Sequence, residues 1–148
     1  MDAYHVCHLS TGDHVLPPCT PAKRWIPYNG APYYRLSSAG LGFYPVSGEH
    51  KVVRLYEDWE KQQRCEVYGL RSAGWRHVTG LVPPHVARGL DAGRSPVFLN
   101  GFFYWHIDID SNIVVRFSDQ KEADSFSTPE PILSLSIDTE QFGWVSLR

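Results

Sequence analysis

Cysteine is scarce. Cys7, Cys19 and Cys65 are the only three in 148 residues, an odd number too widely spaced for a disulfide framework or a C-x-x-C pair. Reduced thiols in a cytoplasmic or nuclear protein are the expectation. An excess of one charge is also missing. Fourteen Lys+Arg against 16 Asp+Glu leave a formal −2, which offers no basic face to nucleic acid or an anionic membrane. No apolar run approaches transmembrane length, and Met1 to His5 lack the basic region and apolar core of a signal peptide. Asn29, Asn100 and Asn112 are not followed two places on by Ser or Thr, so no N-glycosylation signal is present.

Sequence patterns that carry chemistry are equally thin. Cys7-His8 would point to opposite faces of a strand, a poor start for a tetrahedral metal site. Asp108-Ile109-Asp110-Ser111-Asn112 imitates the start of a calcium loop. Ile113 stands where that loop needs Gly, however, and Asp119 stands where a bidentate Glu is wanted. Gly40-Leu41-Gly42 lacks the third Gly and the following helix of a dinucleotide fingerprint. No G-x-S-x-G occurs, and no Ser, His and acid are spaced to suggest a triad. No catalytic residue, cofactor or metal is therefore assigned, and an enzyme is the weaker alternative to a binding module.

Aromatic residues and turn formers are abundant. Five Trp, 8 Tyr and 7 Phe stand beside 12 Gly and 11 Pro, a composition for short strands and tight turns rather than long helices. The centre of the pattern is Ser95 to Trp105, where two apolar runs meet at Asn100-Gly101. Both residues tolerate φ > 0, so the spacing predicts a two-residue hairpin that needs cover on both faces. Further strands are read at Tyr4–Leu9, His14–Leu16, Gly42–Tyr44, Lys51–Tyr56, Cys65–Leu70, Trp75–Val78, Asn112–Phe117, Ile132–Ile137 and Phe142–Leu147. Residues 17–40 and 79–96 read as loops, and Glu57–Arg64 as a polar connection with room for one helical turn.

The order repeats. Leu9 with Ser10-Thr11-Gly12, Leu70 with Arg71-Ser72-Ala73-Gly74, and Ile137 with Asp138-Thr139-Glu140 each place an apolar strand before a turn and a second strand. Val15-Leu16-Pro17-Pro18 and Leu81-Val82-Pro83-Pro84 close the first two units alike. Antiparallel four-stranded units in series are the sequence form of propeller blades. The expected fold is all-β, an incomplete kelch-like propeller spanning 4–148, with a half blade at 4–18 and blades at 42–78 and 97–147; a β-sandwich is the alternative. Trp75, Trp105 and Trp144 are expected to fill the core between blades. Trp59, among charged neighbours in a strand connection, and Tyr33-Tyr34-Arg35 in the first long loop are the candidate protein contacts.

Gly42-Phe43-Tyr44-Pro45-Val46-Ser47-Gly48-Glu49-His50-Lys51-Val52-Val53-Arg54-Leu55 resembles the most distinctive segment of the plant F-box-associated domain. Cys65-Glu66-Val67-Tyr68, Gly74-Trp75-Arg76, Val97-Phe98-Leu99-Asn100-Gly101 leading to Trp105-His106, and Leu133 to Phe142 follow in the same order. The resemblance implies a kelch-like propeller that serves as the substrate-recognition half of a ubiquitin-ligase subunit and binds a protein substrate. It implies no catalytic residue and fixes no binding site. No amphipathic F-box segment precedes Tyr4, so a ligase adaptor is expected as a partner only if an F-box is supplied elsewhere. The blades number fewer than the ~4–8 of a closed propeller. The ends, with Val6, Leu9, Val15 and Leu16 at one and Phe142, Trp144, Val145 and Leu147 at the other, are expected to leave apolar faces for self-association or a completing partner. A truncated paralogue without retained function is the remaining alternative.

Overall fold

Alternating β-branched, aromatic and polar residues pair into strands wherever one side of the chain can be buried. In the computed structural model the described residues are 6, 7, 10–12, 14, 15, 37–58, 60–72, 74–90, 94–108 and 131–145. A two-residue pair, β1 (Val6–Cys7) with β2 (His14–Val15), comes first. A four-stranded meander follows: β3 (Ser37–Tyr44), β4 (Glu49–Glu57), β5 (Gln63–Gly69) and β6 (Trp75–His77). A second is built from β7 (Val97–Leu99), β8 (Phe102–His106), β9 (Ile132–Ser136) and β10 (Phe142–Val145). Every pairing is antiparallel and in chain order. The fold is all-β, with antiparallel four-stranded sheets of the kind that form propeller blades.

The sheets stack face to face. Ser38↔Leu55↔Cys65 and Gly40↔Val53↔Val67 lie in register across the first; Phe98↔Phe103↔Leu135 and Trp105↔Leu133 lie across the second. Val53, Leu55 and Cys65 meet Phe103, Trp105, Leu133 and Leu135 in one core. Gly40 and Gly42 on β3 form the floor of this contact. A Cβ on Gly40 would lie 2.4 Å from Pro96 Cγ, and one on Gly42 2.6 Å from Phe103 Cζ and 2.8 Å from Phe98 Cδ2. The Trp105 indole N–H donates to the Ser38 hydroxyl at 3.1 Å, and that hydroxyl donates to the Arg94 carbonyl at 2.7 Å.

Several boundaries differ from those read in the sequence. Residues 37–40 are strand, not loop: they pair residue by residue with Val53 to Tyr56. On the inward side the small Ser38 and Gly40 leave room for Trp105, Pro96 and Phe103. The 79–96 stretch holds a short 3₁₀ turn, Val86–Gly89, whose Val86, Ala87 and Gly89 are buried. It is pinned by the Ala87 N–H to Gln63 Oε1 at 2.8 Å and by Arg88 Nε to Glu57 Oε2 at 3.0 Å. Among the described residues of the β4–β5 connection none is helical: β4 continues to Glu57, and the Asp58 carboxylate accepts the N–H groups of Glu60 and Gln62 at 2.9 and 2.8 Å. β8 pairs directly with β9; the strand expected at 112–117 lies outside the described residues.

Of the tryptophans expected between blades, only Trp105 is in this core, 2 % exposed. Trp75 is on the opposite face of the first sheet, packed on Tyr68 with ring centroids 5.3 Å apart. There the Arg54 guanidinium lies 5.0 Å from the Trp75 ring and 2.6 Å from Glu66 Oε2, and this ion pair is buried. Trp144 sits on the last strand and is partly exposed. Trp25 lies outside the described residues.

At one end the sheets are clamped by charge. Arg76 of β6 holds Glu140 of the β9–β10 turn through both guanidinium nitrogens, one at 2.7 Å. Glu140 also accepts the Thr79 N–H, and its carbonyl accepts the Gly80 N–H at 3.1 Å. Gly80 passes so close that a Cβ there would lie 2.3 Å from the Glu140 carbonyl oxygen. The Arg76 hydrogen bond, followed by its charge, the Thr79 N–H and the Lys51 charge, outweighs burial and holds the Glu140 carboxyl below the usual carboxylate range.

Two outcomes follow from this packing. Gly42→Ala is expected to lower stability to urea by ~1–3 kcal/mol through overpacking against Phe98 and Phe103. Gly74→Ala, whose new methyl would meet only the Ser72 carbonyl at 4.0 Å, should stay within ~0.5 kcal/mol of the parent. For Glu140, a folded pKa below the unfolded one means the unfolded chain binds the proton more readily. Its contribution is therefore complete above the ordinary carboxylate range and is lost as the pH falls through the lower folded value. Glu140→Gln should remove about 1 kcal/mol at neutral pH, a modest figure because Arg76 is half exposed. Urea unfolding of the Gln variant across the acid range should show a shallower fall in stability than the parent.

Candidate functional site

A meander places its first and third turns at the same end. In this chain the β3–β4, β7–β8 and β9–β10 turns converge there and wall a groove of about 620 Å³. Each is set by local chemistry. Tyr44↔Glu49 closes the first, with Gly48 at φ 67 and its N–H on the Tyr44 carbonyl at 2.9 Å. Leu99↔Phe102 closes the second around Asn100 (φ 50) and Gly101 (φ 85), the two-residue turn that Asn-Gly predicts. In the third, the Ser136 hydroxyl accepts the N–H groups of Asp138 and Thr139 at 3.3 and 3.1 Å, while Glu140 takes a left-handed φ of 58.

The three walls are tied to one another. The Ile137 N–H donates to the Gly101 carbonyl at 2.9 Å, and the Tyr44 hydroxyl donates to Asp138 Oδ1. That bond, followed by desolvation and the negative charges of Asp138 and Glu140, raises the Tyr44 pKa. Lys51 Nζ lies 4.4 Å from the Tyr44 ring centroid on the inner side. At the neighbouring β5–β6 turn, burial opposes ionisation of Glu49. The N–H groups of Arg71 and Ser72, the Ser72 hydroxyl and the Lys51 charge prevail and lower its pKa.

The lining mixes apolar Pro45, Val46, Phe102 and Phe142 with hydrogen-bonding Asn100, Ser134, Thr139 and Gln141. Among the described residues Asp138 is the one formally charged residue along it. Such a surface can accept an apolar side chain with polar groups around it, the pattern of a protein contact. Among the described residues lining it, none pairs a nucleophile with an adjacent base. Among the described residues no group of three His, Cys, Asp or Glu could hold a metal ion, and no helix is long and apolar enough to cross a membrane. Cys65 is sealed in the core, where burial, with the Glu66 and Glu140 charges, pushes its thiol pKa up.

Tyr33, Tyr34, Arg35 and Trp59, the contacts proposed from sequence, lie outside the described residues. So do most of the Asp108–Asn112 stretch and Cys19; the Asp108 N–H itself donates to the Gly89 carbonyl at 2.7 Å. The groove residues were missed because they belong to ordinary turns and to the strand ends beside them. The signal was the parity of the meander, which puts alternate turns at one end. Removing the Tyr44–Asp138 tie with Tyr44→Phe should leave the sheets intact and loosen the groove. Amide exchange at Asp138 and Thr139 is expected to speed ~10-fold relative to β9, read by hydrogen–deuterium exchange.

The geometry thus joins two in-order, four-stranded meanders to a groove built from turns and the strand ends beside them. No curated protein and no solved structure matches the chain. Its sequence matches the F-box associated beta propeller domain over residues 5–147, nearly its whole length, and the chain belongs to that family.

Proposed function

We propose that this chain is a protein-binding module of the substrate-recognition kind used by ubiquitin-ligase F-box subunits, with the turn-lined groove as its contact surface. The observation that carries the reading is the family match over residues 5–147. The groove supports it through its mixed lining and its ties between three turns. In this reading the two sheets act as blades at 42–78 and 97–147, and 4–18 as a half blade. Tyr33, Tyr34, Arg35 and Trp59 extend the contact surface. A ligase adaptor joins only through an F-box supplied elsewhere, and no cofactor takes part.

Recognition through such a groove would depend on a few side chains at its rim. Val46, 80 % exposed, and Gln141, also exposed, project there without supporting the core. Affinity capture from plant extract, with the parent chain beside a Val46→Asp/Gln141→Arg variant, tests the idea. The parent is expected to retain a specific protein set containing ubiquitin-pathway components. The variant should lose the recognised substrate at least ~10-fold while unfolding at the parental temperature. Equal capture by both proteins would remove the groove from the reading. Absence of any specific partner, together with turnover of a metabolite by the purified chain, would overturn it.

A further inference from the structure

A second cavity, of about 250 Å³, opens beside the β5–β6 turn. Its lining runs from buried to exposed. Glu49, Lys51 and Val67 lie on the buried side, and Ser72, Gly74 and Arg76 on the exposed side. Strand alternation puts the charges there. Glu49 and Lys51 share the inner face of β4 with Val53, Lys51 stands opposite Gly69, and Val67 stands opposite Arg76. An ammonium group is thereby carried to the floor of a cleft whose mouth is open.

Lys51 is 8 % exposed, a degree of burial that Lys rarely reaches unless it is paired. The other charges of the cleft are held. Both oxygens of Glu49 accept from the β5–β6 turn, through the Arg71 and Ser72 N–H groups and the Ser72 hydroxyl. Gly69 leaves the space for this, since a Cβ there would lie 2.7 Å from Glu49 Oε2. Glu140 takes Arg76 and the Thr79 N–H. Lys51 has the Tyr44 ring, 4.4 Å from Nζ, and the more distant charges of Glu49 and Glu140. Among the described residues it makes no hydrogen bond or ion pair. A ring face attracts the charge but does not satisfy three N–H donors in a place of low dielectric.

We propose that Lys51 receives a carboxylate of a bound protein chain, an acidic side chain or a C-terminal carboxylate, entering past Ser72 and Gly74. A charge-assisted hydrogen bond is roughly twice as strong as one to a neutral acceptor. Phosphate suits the cleft less well. Lys51 and Arg76 are already matched in number by Glu49 and Glu140, so a second negative charge on the ligand finds no further cation among the described lining residues. The contact rests on the reading of the chain as a protein-binding module, but it stands apart from the turn-lined groove, with which the cleft shares no described lining residue.

Backbone amide chemical shifts of the full chain, followed as small probes are added, test it. N-acetyl-glutamate α-amide carries the side-chain carboxylate and N-acetyl-glycyl-glycine the terminal one; N-acetyl-glutamine amide and inorganic phosphate are the contrasting probes. The amides of Lys51, Gly69, Ser72 and Gly74 should shift saturably with a carboxylate probe, and the tighter of the two names the source. Lys51→Met keeps the length of the side chain without its charge and should weaken binding at least ~10-fold. Gly74→Asp puts a negative charge at the mouth, where a Cβ meets only the Ser72 carbonyl at 4.0 Å. It should weaken binding likewise with cooperative unfolding unchanged, and it decides the matter if Lys51→Met does not fold. No saturable shift with either carboxylate, equal binding of the neutral amide, tighter binding of phosphate, or undiminished binding by either variant overturns the proposal. The Val46→Asp/Gln141→Arg chain should bind the probes as the parent does. Probe binding by a chain that captures no protein from extract would count against the module reading and not against the Lys51 contact.

Discussion

The close approach of two backbones to aromatic rings governs this structure. β3 presents Ser38, Gly40 and Gly42 in alternation toward the second sheet, and the space that their missing side chains leave is filled by Pro96, Phe98 and Phe103. Sheets normally pack ~10 Å apart, with both inner faces contributing side chains. Here one first strand contributes almost none and the facing strands contribute rings. The large apolar area of Phe103 and Trp105 is buried without lengthening the gap, and Trp105 still finds a partner for its N–H in Ser38. Directly beside this contact, Val53, Leu55 and Cys65 supply ordinary bulk from β4 and β5.

Charge is excluded from that centre and used at its margins. The Arg76–Glu140 clamp fastens one end of the stack, and Glu57 with Arg88 and Gln63 fastens the 3₁₀ turn at the other end of β4. These pairs touch solvent on one side, which spares them most of the desolvation that a fully dry pair suffers. Arg54–Glu66 is the exception. It is buried, and its guanidinium is sandwiched against Tyr56 and Trp75. The Tyr56 hydroxyl shares Glu66, and burial, followed by the Glu66 charge, raises the Tyr56 pKa. Arg suits such a place better than Lys because its planar, weakly hydrated group can lie against rings while it holds a carboxylate.

Much of this was legible in the sequence, and the parts that were not share a cause. The turn at Asn100-Gly101, the strands around Val52-Val53 and Ile132 to Ser136, and the all-β class follow from local rules of turn chemistry and period-2 burial. The start of β3 does not. Ser37 to Gly40 reads as loop because the inward-facing Ser38 and Gly40 are chosen for what faces them, Trp105, Pro96 and Phe103, which are distant in sequence. Val86 and Ala87 were hidden for the same reason: an apolar pair after two prolines announces no partner, yet it closes the core beside Ile107 and Leu90. Trp75 was misassigned between blades because alternation tells which residues share a face, not which face is the inner one. The groove was invisible residue by residue and emerges only from the topology.

That topology separates the residues that hold the sheets from those that line the groove. The residues that hold the sheets together sit in strands and point inward, and their substitution would move backbone. Those that line the groove sit at turns and adjoining strand ends, where backbone bonds, Gly48 in the first turn, and the Ser136 hydroxyl with Glu140 in the third fix the conformation. Asn100 and Gly101 set the second turn through φ alone and also border the groove. Val46, Thr139 and Gln141 carry none of these duties, so their side chains can change without disturbing a turn or a core contact. A scaffold of this kind can present different chemistry to different protein partners at little cost in stability. For that reason the fold of such a chain is far easier to read from its sequence than the identity of what it binds.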